Sequence, residues 1–173
     1  MQQLLLELAP PPPPTLENFS AGKNGAALKA LREALEEGER FVFLWGPSGS
    51  GKTHLLRAFA EAAAAKGRAA YVQAANADWA RTGNLATLAV DEVSRLDDAG
   101  QIALFDLCNR LRACGGALAA SGEAPPARLG LRADLRSRLA SGIVLQLHPL
   151  RDEDKAAALH AHAADAESRS MGS

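Results

Sequence analysis

The sequence is poor in the residues that mark several classes of protein. Its 173 residues include two cysteines, Cys108 and Cys114, and only 5% aromatic residues, and the formal net charge is −1. Two cysteines in one predicted helix indicate neither a disulfide framework nor a metal site, so we expect buried, reduced thiols. A near-neutral, aromatic-poor chain lacks the overall positive field of a nucleic-acid-binding protein and the basic, aromatic surface that binds single strands.

Long apolar runs and metal-ligand spacings are missing as well. The segment Leu4–Leu6 has no basic flank and ends at Glu7, so it is neither a signal peptide nor a membrane span. We therefore expect a cytoplasmic protein with no membrane partner. The four histidines do not fall at ligand spacing, which argues against a histidine metal centre.

Length and composition favour one compact domain. A chain of 173 residues with 47% hydrophobic content can bury a single sizeable core. Residues 10–14 are consecutive prolines, which favour a stiff polyproline II spacer. We expect residues 1–14 to be a peptide and linker, residues 15–150 a core, and residues 151–173 a separate C-terminal segment.

The periodicity of apolar residues predicts alternating helices and strands. Helices are predicted at residues 24–37, 52–66, 98–114, 132–140 and 152–164, and strands at 40–45, 69–73, 85–90, 117–120 and 143–147. In the helix at 98–114, Ile102, Phe105, Leu107 and Leu111 are expected near one face. The alternation predicts an α/β fold, with a five-stranded parallel sheet covered by helices on both faces.

A glycine-rich segment follows the first predicted strand and opens a helix. It fits the pattern G-x-x-x-x-G-K-[ST] of a phosphate-binding loop, whose glycines let backbone N–H groups turn toward phosphate oxygens. Lys52 is then expected to reach the β- and γ-phosphates, and Thr53 to offer its hydroxyl to Mg²⁺. The loop consists of Gly46, Pro47, Ser48, Gly49, Ser50, Gly51, Lys52 and Thr53.

Two acidic residues stand at the end of the third predicted strand. In P-loop proteins an aspartate at this place holds Mg²⁺ through water, which is the role expected of Asp91. The adjacent Glu92 could take a proton from an attacking water, as a hydrolase requires. The alternative is an acidic helix cap that follows a strand.

Four arginines, Arg128, Arg132, Arg136 and Arg138, fall in the stretch RLGLRADLRSRL. Solvated side chains are the ordinary interpretation, which we adopt for the first three. An arginine that reaches a neighbouring subunit could instead neutralise charge on a γ-phosphate. The residues alone leave the choice open.

Taken together, these segments resemble the AAA+ ATPases of the DnaA-like family from about residue 3 to residue 159. The family's segment before the first helix is matched by Thr15–Phe19, and its phosphate loop and helix start by Gly51–Leu56. Residues 105–111 (FDLCNRL) and 150–155 (LRDEDK) are also similar to family segments. The resemblance implies a P-loop NTPase fold of the AAA+ type that binds ATP or ADP with Mg²⁺.

The resemblance also assigns individual residues. Phe19 and His54 are expected beside the nucleotide, Ser121 occupies the place of the sensor-1 segment, and Ser137–Leu139 resembles the arginine-finger motif, with Arg138 as the finger. Only the start of the family's helical lid is expected, so the lid is largely missing. The initiator's helix-turn-helix domain has no counterpart, which implies no direct sequence-specific DNA binding.

A peptide near the start of the chain resembles the one with which regulatory members of the family bind the DNA polymerase sliding clamp. Its glutamine hydrogen-bonds to the clamp while its leucines fill a hydrophobic groove. The matching residues are Gln3, Leu4, Leu6 and Leu8.

The family therefore implies a nucleotide-binding regulator that docks on the sliding clamp and promotes ATP hydrolysis by the initiator DnaA. A homo-oligomer is a further candidate assembly. Weak or partner-dependent ATPase activity is expected. The phosphate loop is also similar to that of guanylate kinase, so a P-loop nucleoside or nucleotide kinase is one alternative. A helicase-loader ATPase is the other.

Overall fold

The described part of the chain consists of four α-helices and five strands, joined by turns and short 3-10 helices. The computed structural model describes Leu16 and residues 24–149. The helices are α1 (Gly25–Ala34), α2 (Lys52–Ala64), α3 (Asp98–Cys114) and α4 (Ala133–Leu139). The strands are β1 (Phe41–Trp45), β2 (Ala69–Gln73), β3 (Thr87–Asp91), β4 (Ala117–Gly122) and β5 (Ile143–Gln146). Several predicted features lie outside the described residues, namely the predicted clamp-binding peptide, Phe19, the helix at 152–164 and both domain boundaries.

All five strands join one parallel sheet in the order β2-β3-β4-β1-β5. The predicted α/β fold with a five-stranded parallel sheet is thereby confirmed. Because every strand runs the same way, the carboxyl ends of β1, β3 and β4 meet at one edge of the sheet. That edge carries the phosphate loop after β1, Asp91 at the end of β3 and Ser121 in β4.

Helices cover both faces of the sheet, and alternate residues of each central strand serve the two faces. In β1, Phe41 and Phe43 pack with residues of α3 and α4, whereas Val42 and Leu44 pack with residues of α1 and α2. Such strands read as continuous apolar runs because neither face meets water. Because β1 is buried on both faces, it fixes the position at which the phosphate loop begins.

Several predicted boundaries differ from the observed ones by one to three residues, and two of these differences bear on the site and on the first helix. The first helix ends at Ala34 rather than at residue 37, because the Leu35 and Glu36 N–H groups donate to the carbonyls three residues back and tighten the chain into a turn. The third strand begins at Thr87 and includes Asp91, since its pairing with β2 runs from Ala69–Thr87 to Gln73–Asp91. The carboxylate thus belongs to the strand and not to the loop after it.

The predicted face of α3 was wrong in part. Its buried residues are Gly100, Gln101, Leu104, Leu107, Cys108 and Leu111, whereas Ile102 is 46% exposed. A helix turns about 100° per residue, so Ile102 lies about 200° away from the buried Leu104. The expectation of two buried thiols was also half wrong: Cys108 is buried, but Cys114, the last residue of α3, is exposed, and both are free.

Candidate functional site

The phosphate loop turns sharply between β1 and α2. Gly49 and Gly51 have φ angles of +83° and +94°, a left-handed backbone that favours glycine. The Ser50 N–H donates to the Pro47 carbonyl over 3.2 Å, which closes the turn. Pro47 and Ser48 are exposed, and Gly46 is anchored to β4 because its N–H donates to the Gly122 carbonyl over 3.2 Å. The loop is therefore fixed at its base and open at its tip.

A buried hydroxyl in this loop fits an anionic ligand. Ser50 is fully buried, and within the described residues its Oγ has no hydrogen-bond partner. Buried polar groups almost always have a partner, so such an atom indicates a missing one. The loop also leads into the positive end of α2, whose first-turn N–H groups lack acceptors within the helix. A phosphate bound here would accept hydrogen bonds from both the Ser50 hydroxyl and these N–H groups.

Lys52 opens α2 and is held inside the site. It is 5% exposed, and its Nζ contacts the carbonyls of Gly46 and Gly122 and lies 3.2 Å from Glu92 Oε1. A lysine ammonium has three protons to donate, and here each has a protein acceptor. The Lys52 ammonium is thus held at the base of the loop. To donate to a bound anion, it must give up its contact with one of these three acceptors.

Asp91 is the centre of a hydroxyl network. Its Oδ2 accepts from Thr53 Oγ1 at 2.6 Å and from Tyr71 Oη at 2.7 Å, and its Oδ1 accepts from Ser121 Oγ at 2.7 Å. The residue is only 4% exposed. Four elements, α2, β2, β3 and β4, therefore converge on one carboxylate.

Glu92 follows with an unusual backbone. Its φ of +57° is left-handed, and its N–H donates to Ser121 Oγ over 2.9 Å. Ser121, which is fully buried, thereby fixes both the Asp91 carboxylate and the Glu92 backbone. The turned backbone sends the Glu92 side chain toward Lys52 and leaves it partly exposed to solvent.

A cavity of about 290 Å³ opens beside this network. Its walls include Thr53, Asp91 and Glu92, together with Gln73 at the end of β2 and with Asn76 and Arg95 from the turns after β2 and β3. The hydroxyl and both carboxylates predicted to act together thus face one space. Sequence reasoning missed the other three polar residues, because Asn76 and Arg95 lie in segments without a recognisable pattern and Gln73 is distinguished only as the end of a predicted strand.

Tyr71 is the clearest addition to the predicted site. It lies on β2, half-buried, and the Arg57 guanidinium stacks over its ring at 5.1 Å from the centroid. Burial and the hydrogen bond to Asp91 raise the pKa of Tyr71, so at neutral pH the phenol is the donor in that bond. The sequence held a signal for this role, because Tyr71 lies two residues before the end of a predicted strand. From that position a long side chain can reach the end of a neighbouring strand.

The candidate arginine finger lies elsewhere. Arg138 is half-buried on α4, on the sheet face opposite the one covered by α2. Its Nε donates to Asn109 Oδ1 over 2.6 Å, and its guanidinium lies 5.3 Å from the Phe105 ring centroid. Within the described residues its Nη groups have no partner, so only part of the guanidinium is engaged. Of the three arginines interpreted as solvated, Arg128 and Arg132 are exposed, whereas Arg136 is half-buried.

The residues present fit Mg²⁺ in combination with a nucleotide better than Mg²⁺ alone. The described ranges contain no group of three His, Cys, Asp or Glu side chains that could hold a metal ion. Mg²⁺ is commonly held by one or two protein oxygens together with phosphates and water. Thr53 and Asp91 supply such oxygens next to the phosphate loop, while the half-buried His54 of the first turn of α2 is not placed among them.

Comparison with known proteins gives one family and several related structures. Residues 25–170 match the AAA ATPase domain. An uncharacterised protein of Haemophilus influenzae is 38% identical over 153 residues, which is 82% of this chain and 66% of that protein. A solution structure of a Neisseria meningitidis protein is 37% identical with a TM-score of 0.55, covering 69% of this chain and 83% of that one.

The fold is also similar to that of the replication initiator DnaA. The structure of AMPPCP-bound DnaA from Aquifex aeolicus is 28% identical with a TM-score of 0.72, and the match covers 83% of this chain. The chain spans about half the length of that protein, 52%, and 66% of its Haemophilus relative. In the part of this chain that the structure describes, no helix is both long and apolar enough to cross a membrane.

Proposed function

The chain belongs to the AAA ATPase domain family and is related to the initiator DnaA, and from this we propose that it binds and hydrolyses ATP with Mg²⁺ at the Gly46–Thr53 loop. The observation that carries the proposal is the convergence on Asp91. A loop hydroxyl from Thr53 and a strand hydroxyl from Ser121 both reach this carboxylate within 2.7 Å, beside the buried Lys52. The helix start and the acidic strand end thus form one site.

The side chains have distinct tasks in this proposal. Lys52 donates to the β- and γ-phosphate oxygens after giving up one of the protein acceptors that it now contacts. Thr53 and Asp91 are the residues that would hold Mg²⁺, which supplies charge neutralisation on the phosphates. Glu92, beside the cavity, takes the proton of the attacking water, and Ser121 keeps Asp91 and the Glu92 backbone in place.

The reaction is tested with ATP radiolabelled in its γ-phosphate, with and without a nucleoside monophosphate. We expect slow release of inorganic phosphate that depends on Mg²⁺ and is unaffected by the monophosphate. A labelled nucleoside diphosphate as the product would instead establish the kinase alternative. The match to an ATPase family over residues 25–170 favours hydrolysis.

We further propose a regulatory role of the kind represented by the DnaA regulatory inactivator Hda, in the cytoplasm. A finger must leave its own subunit, and Arg138 supports this role because its Nη groups remain available on a helix surface remote from α2. Supplied to DnaA or to a second copy of this chain, such a donor is worth a factor of about 10³ to 10⁵ in phosphoryl transfer.

The regulatory role is tested by the ATP hydrolysis of purified DnaA. The parent protein should stimulate it, and Arg138→Ala should bind nucleotide normally but fail to stimulate. Arg132→Ala, which removes an exposed arginine at the start of the same helix, is the matched control and should stimulate fully. Equal stimulation by both variants would leave Arg138 as a solvated side chain.

Clamp docking rests on the resemblance of residues 3–8 alone, since this peptide lies outside the described residues. Replacing Gln3, Leu4 and Leu6 with alanine should abolish capture by the sliding clamp without changing nucleotide affinity. Five consecutive prolines lie between this peptide and the core in the sequence, so we expect the two properties to be independent. Capture that survives the triple change would refute the docking assignment.

A further inference from the structure

Asp91 receives one hydroxyl donor more than the proposed chemistry requires. Thr53 and Ser121 have roles in the phosphate loop and in the sensor position, but Tyr71 has none. Its Oη nevertheless lies 2.7 Å from Asp91 Oδ2, as close as either of the other donors to within 0.1 Å. A hydrogen bond from a neutral donor to a buried carboxylate is among the stronger ones in proteins.

The sheet explains how Tyr71 reaches this carboxylate. Tyr71 pairs with Ala89 in the register between β2 and β3, and Gln73 pairs with Asp91. Directly paired residues on neighbouring strands point to the same face, as do residues two apart on one strand. Tyr71 therefore lies on the same face of the sheet as Asp91, on the neighbouring strand and two residues before the position that pairs with Asp91. Two residues of strand correspond to about 7 Å, a distance that a phenol side chain spans.

The ring is also held from the outside. The Arg57 guanidinium of α2 lies 5.1 Å from the Tyr71 ring centroid, and the ring packs against the core between the sheet and α1 and α2. Backbone register, core packing and a stacked cation thus fix the position of the phenol before any ligand binds. Such a fixed donor can set the orientation of the carboxylate that it contacts.

The donors leave Asp91 little remaining capacity. A carboxylate offers about four acceptor positions, two on each oxygen. Thr53 and Tyr71 occupy the two on Oδ2, and Ser121 occupies one on Oδ1. The remaining position lies on Oδ1, so a further donor, such as a water held by a metal ion, is directed to that oxygen.

We propose that Tyr71 is a positioning residue that orients Asp91 for Mg²⁺ by saturating its Oδ2 and presenting its Oδ1. This inference rests on the proposed binding of Mg²⁺ and nucleotide. Without the phenolic hydroxyl, Oδ2 has a vacant acceptor position, and two donors rather than three hold the orientation of the carboxylate. Mg²⁺ should then bind less tightly, while the phosphate loop keeps its own contacts with the nucleotide.

The variant that tests this is Tyr71→Phe, which removes the hydroxyl and keeps the ring on which Arg57 stacks. ADP binding is measured by calorimetry in EDTA, and the Mg²⁺ concentration for half-maximal enhancement is then measured at fixed ADP. We expect that concentration to rise about tenfold, with the EDTA affinity unchanged within about twofold. Thr82→Val removes another hydroxyl whose residue is buried, one that donates to the Trp79 carbonyl, and should change neither quantity.

A second measurement needs no substitution, because Tyr71 is the only tyrosine of the chain. With tyrosine labelled at the ring carbon that bears the hydroxyl, the protein gives one carbon NMR resonance for this position. The resonance should shift when Mg²⁺ is added to the ADP-bound parent protein and not when Mg²⁺ is added alone.

Three results would overturn the inference. The first is an unchanged Mg²⁺ requirement in Tyr71→Phe. The second is an equal loss of ADP affinity with and without Mg²⁺, which indicates a merely structural role. The third is a tyrosine resonance that does not shift when Mg²⁺ is added to the ADP-bound protein. A parent protein that binds ADP without any effect of Mg²⁺ would remove the proposed metal site itself, and this inference with it. The parent measurement therefore separates the two failures.

Discussion

The contact between Lys52 and Glu92 predicts an effect opposite to that of most changes in a binding site. All three protons of the Lys52 ammonium have protein acceptors, so a phosphate must displace at least one of them. The Glu92 carboxylate is the most easily released, because its side chain is 30% exposed and its loss leaves the backbone contacts in place. Glu92→Gln should therefore bind nucleotide more tightly than the parent.

The size of the effect follows from the exposure of the pair. An ion pair at 3.2 Å with one partner partly exposed is worth up to about 1 kcal/mol. Removing this competition, and the negative charge that repels phosphate, should tighten the ADP dissociation constant by up to about fivefold. Hydrolysis should fall at the same time, because the proposed proton acceptor is gone.

The assay is calorimetric titration with ADP and with a non-hydrolysable ATP analogue at low salt. Glu123→Gln is the control, since it removes an exposed acidic group one residue after β4. An unchanged affinity in the control would show that the gain is specific to the Lys52 contact. A Glu92→Gln variant that binds tenfold more weakly than the parent would refute this reasoning.

The other predictions concern Asp91, the two thiols and one surface ion pair. Asp91→Asn should weaken nucleotide binding about tenfold or more in Mg²⁺ but little in EDTA, measured by the same titration. Ellman's reagent should react rapidly with the exposed Cys114 alone at pH 8, because burial raises the pKa of Cys108 to about 12; a second rapid equivalent would contradict this. Burial raises the pKa of Glu39, but hydrogen bonds from the Phe41 N–H and from Arg112 outweigh it and lower the pKa overall. The contribution of Glu39 to stability is thus present above its ordinary pKa and is lost in acid, so urea unfolding should show a loss below about 1 kcal/mol for Glu39→Gln at neutral pH and a smaller one near pH 3.

The phosphate loop could be predicted because its signal is local. A buried strand, glycines at fixed spacing and a lysine before a helix are all readable in one short segment. The strands were predicted for a similar reason, since β1 and β3 are buried on both faces and read as continuous apolar runs. The parallel order of the sheet then brought Asp91 to the loop, as the strand end had indicated.

Features that depend on long-range contacts were not predictable in the same way. The role of Tyr71 depends on the register between β2 and β3, which the sequence does not specify. The left-handed backbone of Glu92 is fixed by Ser121, which lies 29 residues further along the chain. The exposure of Ile102 and Cys114 depends on which side of α3 packs against the sheet. The apolar residues of this helix are spread around its circumference, so the sequence specifies the buried side poorly.

The central claim is that the Gly46–Thr53 loop binds nucleotide phosphates through Lys52. The most direct test is calorimetric titration of the parent protein and of Lys52→Ala with ADP in Mg²⁺. A charge-assisted contact to phosphate is worth roughly 1.5–3 kcal/mol, so we expect the variant to bind at least about tenfold more weakly. A dissociation constant that is the same in both proteins would contradict the account.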